Sequence, residues 1–203
     1  MTAHPRNVFI NCAFDAEFEP LFHAIVFTVI RSGFRARCAT ESDDAGENRF
    51  SKIQQIVEEC RYGIHDISRT ETSGNPPLPR FNMPLELGLF LGARRFGDGD
   101  QKKKKTLILD REQYRFQRFV SDLAGQDIHS HNGDVSSAVR EVATWLRTQS
   151  RSTTVPGGMK IADEFALFQE ALPAILGQQG LARAEMTFGD YTAIAVAYIK
   201  ENA

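Results

Sequence analysis

The sequence predicts a three-layer α/β sandwich, a parallel sheet with helices on both faces, followed by a small helical extension. Three observations carry that expectation. Over residues 1–150 short apolar runs alternate with helical periodicity, the mark of β-α units on a parallel sheet. Residues 150–158, Ser-Arg-Ser-Thr-Thr-Val-Pro-Gly-Gly, have the composition of a linker. Beyond them, two segments place apolar residues at helical spacing.

Element by element, Val8-Phe9-Ile10 is a short buried strand, and the turn Asn11 to Asp15 follows it. A helix then runs from about Glu17 to Arg31, with Leu21, Phe22, Ile25 and Val29 on one stripe. Asp15, Glu17 and Glu19 put negative charge at its positive end, and Gly33 supplies a left-handed stop. Phe34 to Ala39 reads as a second strand. In the polar loop 40–48, Asp44 with Glu47 three residues on reads as a capping box. The helix it opens turns Phe50, Ile53, Ile56 and Val57 inward and ends near Arg61. Tyr62 to Ile67 is a third strand. Ser68 to Phe81, with Pro76, Pro77 and Pro79, is a loop long enough to be functional.

Met83 to Arg95 is apolar almost all round and predicts a buried helix, with Pro84 in its first turn. Gly88 and Gly92 would let that helix approach the sheet closely. Gly97 to Lys105, including the lysine run 102–105, is a solvated turn before a fourth strand, Thr106 to Asp110. Residues 112–124 and 134–149 read as helices, with Asp127-Ile128-His129 as a short fifth strand between them. The chain thus divides into an α/β domain (1–150), a linker (151–158) and a helical extension (159–203). In the extension, Phe165, Phe168 and Leu172 mark one helix over 160–177, and Tyr191, Ile194 and Tyr198 another over 189–201.

Composition excludes several classes of function. The 24 lysines and arginines nearly balance 26 aspartates and glutamates, so a net charge of −2 gives no field for nucleic acid or anionic lipid. No apolar run approaches the roughly 18 residues a membrane span needs. The N-terminus lacks the apolar core of a signal peptide. Cys12, Cys38 and Cys60 are odd in number without Cys-x-x-Cys spacing, against both a disulfide framework and a zinc site. A cytoplasmic protein without a metal is the expectation. No Gly-x-Gly-x-x-Gly follows the first strand, and no Walker lysine or Gly-x-Ser-x-Gly motif occurs. That argues against a dinucleotide dehydrogenase, a P-loop phosphotransferase and an α/β hydrolase.

In an open parallel sheet, ligands bind beyond the carboxyl ends of the strands. Polar residues crowd there: Asn11 and Asp15, Glu41 to Asp44, Asp66 and Arg69, Asp110 and Arg111. Glu86 stands out as a carboxylate in the first turn of an otherwise apolar helix. Burial would raise its pKa while the helix N-terminus favours the anion. Such a group, ionised beside a partly dry pocket, suits attack on a sugar oxocarbenium or its stabilisation. The alternative is a capping-box glutamate, but with Asn82 as the cap Glu86 lies one residue too late.

Two readings fit Asp66, a turn aspartate or a ligand for a ribose hydroxyl. His65, on the opposite sheet face, reads as structural. Arg49, Arg69 and Arg80 have the chemistry to clamp phosphate or carboxylate. Each alone reads as a surface or ion-pair arginine, and Arg80, just before Asn82 and Glu86, is the best placed. The lysine run reads as a solubilising loop, Tyr114, Phe116 and Phe119 as core residues, and the cysteines as free buried thiols.

Three stretches share a further likeness: Val8 to Asp15, Cys60 to Ser68, and Asn82-Met-Pro-Leu-Glu86-Leu-Gly-Leu-Phe-Leu-Gly-Ala93. Together they resemble the nucleoside 2-deoxyribosyltransferase-like group and are similar to bacterial TIR-like domains, over roughly residues 7–130. The resemblance implies a flavodoxin-like sheet carrying a nucleoside pocket. Glu86 would be the nucleophile or oxocarbenium-stabilising carboxylate, and Asp66 a ribose or general acid–base partner. Phe9, Asn11, Phe14 and Asp15 would line the base and sugar pocket, with Arg80 and Asn82 at its approach. The chain departs from the transferases at Phe81-Asn-Met-Pro, where they are rich in glycine and threonine or serine. It departs from TIR domains by carrying Asn11 and Cys12 where a serine is common.

Three functions follow. The first is an N-glycosidase cleaving the ribosyl–base bond of NAD+ or a related nucleotide, without a cofactor. The resemblance sets such an enzyme in bacterial antiviral defence, switched on by assembly into a homo-oligomer. The second is deoxyribosyl transfer between bases, which needs a covalent sugar intermediate and a protonated leaving base. The third is a nucleotide-sensing or protein-interaction module, with a protein partner docked through the C-terminal helices.

Overall fold

The computed structural model describes residues 3–42, 44, 46–70 and 80–202. Five strands form one all-parallel sheet: β1 (His4–Asn11), β2 (Arg35–Arg37), β3 (Cys60–Asp66), β4 (Lys105–Asp110) and β5 (Ile128–Ser130). Their spatial order is β2-β1-β3-β4-β5, the flavodoxin-like order, which reverses direction between β1 and β3.

Both sheet faces are covered, which is why the strands read as near-continuous apolar runs. Helices α1 (Glu19–Arg31) and α4 (Val135–Ser150) pack on one face, over Val8, Ile10, Ile64, Leu107 and Leu109. Helices α2 (Arg49–Glu59) and α3 (Asn82–Phe96) pack on the other, over Phe9. There Gly63 is obligatory: a Cβ would stand 2.6 Å from His65 Nε2 and 2.9 Å from the Phe90 ring.

The extension is not set apart from this core. Helices α5 (Gly158–Gln178) and α6 (Phe188–Asn202) pack behind α1 and α4, and Ile161, Phe165, Phe168, Leu172, Tyr191 and Ile194 join the same apolar cluster. Phe27 of α1 stacks on Phe168 at 5.1 Å, and the Tyr191 hydroxyl donates to the His23 carbonyl at 2.8 Å. No helix among the described residues is long and apolar enough to cross a membrane.

Several local expectations need correction. Asn48, not the Asp44–Glu47 pair, caps α2: its side chain accepts from the Phe50 and Ser51 amides at 3.0 and 3.1 Å. Asp44 is spent on the Gly46 amide of the preceding turn. Phe50, expected inside, is exposed, and Ile53, Ile56 and Val57 alone bury the helix. Helix α3 is not buried all round. Met83, Glu86, Leu87 and Phe90 face inward, whereas Leu85 and Phe96 are exposed, and a Cβ at Gly88 or Gly92 would meet nothing.

The expected helix over 112–124 is two short 3-10 turns, Arg115–Arg118 and Ser121–Leu123. Tyr114 is left-handed at φ 65°, and Arg115 is drawn inward to Asp110 and the Ile67 carbonyl. Only Phe116 of its three aromatics reaches the core; Tyr114 and Phe119 are exposed. Within the lysine run, Lys104 is buried, donating to the Val57 and Cys60 carbonyls and lying 4.6 Å over the Phe90 ring. The proline-rich part of the long loop, residues 71–79, lies outside the described residues.

Candidate active site

The site lies at the carboxyl ends of β1 and β3, whose outgoing connections pass to opposite faces of the sheet, the switch point at which doubly wound sheets bind ligands. Asn11 closes β1 and organises it. Its Nδ2 donates to the Met83 carbonyl of α3 at 2.8 Å and meets His65 Nδ1 at 3.0 Å. One buried amide thereby ties β1, β3 and the first turn of α3 together. His65 is the structural histidine expected: burial, then Lys104, pushes its pKa down to about 3, so the ring stays neutral.

With α3 fixed in this way, Glu86 is carried over the strand ends. Phe81 is the residue before α3 and Asn82 its first, so Glu86 falls in the second turn rather than the first. It is 8% exposed and lines a cleft of about 330 Å³ with Asn11, Cys12, Phe14, Arg49, Arg80 and Asn82. Among the described residues nothing hydrogen-bonds its carboxylate. Burial pushes the group up to about 7, and the Arg49 guanidinium pulls against that rise. The carboxylate is neither a cap nor a surface group; it stands on a largely buried side chain at the wall of a cavity.

The other expected site residues divide. Phe14, 42% exposed, lines the cleft, as do Asn11, Arg80 and Asn82. Asp15 lies beside it, in a neighbouring cavity, clamped by Arg80 and by Arg69 at 3.4 Å. Burial raises the Asp15 carboxyl, but the Phe18 amide and the two arginines outweigh it and hold the group below its ordinary range. Phe9 is not in the pocket. It is fully buried beneath α2 and α3, edge-on to His65 at 5.6 Å.

Asp66 is not in the cleft either. It faces the α1–α4 side, 1% exposed, accepting from the Ser68 amide at 2.9 Å, the Ser68 hydroxyl and His131 Nε2 at 2.9 Å. His131 Nδ1 accepts the Gly133 amide at 3.0 Å, which leaves the ring proton on Nε2 for Asp66. Its bonds are those of a turn aspartate tying β3 to the start of α4. Cys12 lines the cleft, but burial, then Asp66 and other anions, pushes its thiol up and keeps it protonated. Among the described residues no group of three or more His, Cys, Asp and Glu side chains could hold a metal ion.

Arg49, one of the three arginines with the chemistry to clamp phosphate, is placed better than a surface or ion-pair arginine, and His23 carries no role legible in the sequence. Arg49 opens α2 and lines both the Glu86 cleft and the neighbouring cavity. His23 lies on the inward stripe of α1, where nothing local marks it. Comparison with known proteins returns no match to a family model, a curated protein or a solved structure.

Proposed function

We propose that this chain is an N-glycosidase acting on the ribosyl–base bond of NAD+ or a related nucleotide. One observation supports the reading above all: the unbonded, buried carboxylate of Glu86 on the wall of a cleft at the sheet's switch point. In the reaction the C1′–N bond breaks and its electron pair passes to the leaving nitrogen. Nicotinamide already carries a positive charge on that nitrogen, so the pair neutralises it and no proton need be delivered. Positive charge grows at C1′, where the Glu86 carboxylate in a low-dielectric cleft stabilises it. Water then bonds to C1′ and loses a proton, giving the free sugar hydroxyl.

The test is incubation with NAD+, and separately with 2′-deoxynucleosides plus a free base, using the wild type and a Glu86→Gln variant. Nicotinamide release is expected from the wild type, falling by about a hundredfold or more in the variant. Because only the ionised carboxylate can act, release rises as pH passes upward through about 7. The assay spans protein concentration, since a homo-oligomeric active form would gain activity on association. Base exchange instead of hydrolysis would replace this reading with deoxyribosyl transfer. Binding without turnover, unchanged in the variant, would leave a sensing module.

A further inference from the structure

A second, larger cavity of about 580 Å³ adjoins the Glu86 cleft, and Ala13, Phe14 and Arg49 line both. Its far wall is built by the extension, through Met186, Thr187, Phe188 and Tyr191. Aromatic rings run along it. Phe14 meets Phe22 edge-on at 5.2 Å, Phe22 lies beside Phe188 at 6.1 Å, and His23 stacks on Tyr191 at 4.1 Å. His23 is 5% exposed, and its Nδ1 has no hydrogen-bond partner among the described residues. Burial pushes the ring's pKa down to about 4, so at neutral pH it presents one donor and one acceptor nitrogen. At the junction of the two cavities, Arg49 is exposed and makes no ion pair or hydrogen bond with any described residue.

We infer that the two cavities form one bipartite site for a dinucleotide, in which the C-terminal extension builds the subsite for the distal base. The cleaved ribosyl half lies at Glu86, the anionic phosphate bridge against Arg49, and the second base on the aromatic wall that Phe188 completes. A guanidinium matches phosphate geometry, and aromatic rings hold a base by stacking whatever its identity. The first half of this assignment rests on the N-glycosidase reading; the distal subsite does not need it.

The experiment measures calorimetric binding of AMP, and nicotinamide release from NAD+ against nicotinamide mononucleotide. AMP is expected to bind the wild type and to lose about tenfold in affinity in Phe188→Ala, the size of one lost stacking contact. Phe188→Leu, which keeps the apolar volume and removes the ring face, gives the same direction if the alanine variant unfolds. The preference in kcat/KM for NAD+ over the mononucleotide falls in parallel. AMP that fails to bind the wild type, or binds a folded Phe188 variant with equal affinity, overturns the subsite. AMP binding involves no bond cleavage, so it judges the subsite alone, whereas nicotinamide release judges the chemistry at Glu86.

Discussion

At Glu86 the burial that suits the chemistry works against stability. The carboxyl rises from 4.5 to about 7 in the fold. Between those values the folded chain holds a proton that the unfolded chain has lost, so this group's contribution to stability declines as pH rises through the window. Above it the charged form costs on the order of 3 kcal/mol. Glu86→Gln is therefore expected to unfold at a higher temperature than the wild type at pH 8, with the gap closing by pH 4.5. Equal midpoints at pH 8 would mean a solvated carboxylate. Arg49 offers the complementary check. It pulls the Glu86 carboxyl down, so in Arg49→Ala the rising limb of nicotinamide release moves to higher pH. Glu86 was legible in the sequence because a lone acid in an apolar helix has few explanations. Asp66 was not, because strand alternation gives its face and nothing local reveals His131, far along the chain, as its partner.

The elements show where local signals compete. Asp44 and Asn48 both have cap chemistry, and the choice fell to Asn48 because its side chain reaches two helix amides while Asp44 closes its own turn. The segment after β4 has helical periodicity, yet Arg115 breaks it by turning in to Asp110 at 2.7 Å and to the Ile67 carbonyl at 2.8 Å. Both charges of that pair are almost wholly buried. Removing the cation strands a carboxylate in the interior, so Arg115→Ala is expected to cost about 3–5 kcal/mol in chemical denaturation. A cost below about 1 kcal/mol would show that water replaces the guanidinium there. Lys104 teaches the same lesson from an unpromising lysine run. Its stem reaches the end of α2, and burial lowers its pKa to about 8, offset in part by Cys60 and Glu58.

For the molecule as a whole, the extension matters most. Phe168, Leu172 and Tyr191 are fully buried against α1, with no solvent layer between extension and domain. The chain is accordingly expected to melt in one cooperative transition rather than two. A chain ending at Arg151 leaves the buried faces of α1 and α4 uncovered, and should bind a hydrophobic dye and melt at lower temperature. Two separate transitions in the full chain would refute the shared core.

By itself the sequence determined the sheet, its parallel sense, the two C-terminal helices and the acid at position 86. Each is written in residues a few places apart, as apolar periodicity or a single polar break in it. Only the tertiary structure decided that Asn11 is a strut, that Phe9 and Asp66 lie away from the cleft, and that the extension walls a second cavity beside it. Those facts depend on side chains meeting across many residues of chain, which no local pattern encodes.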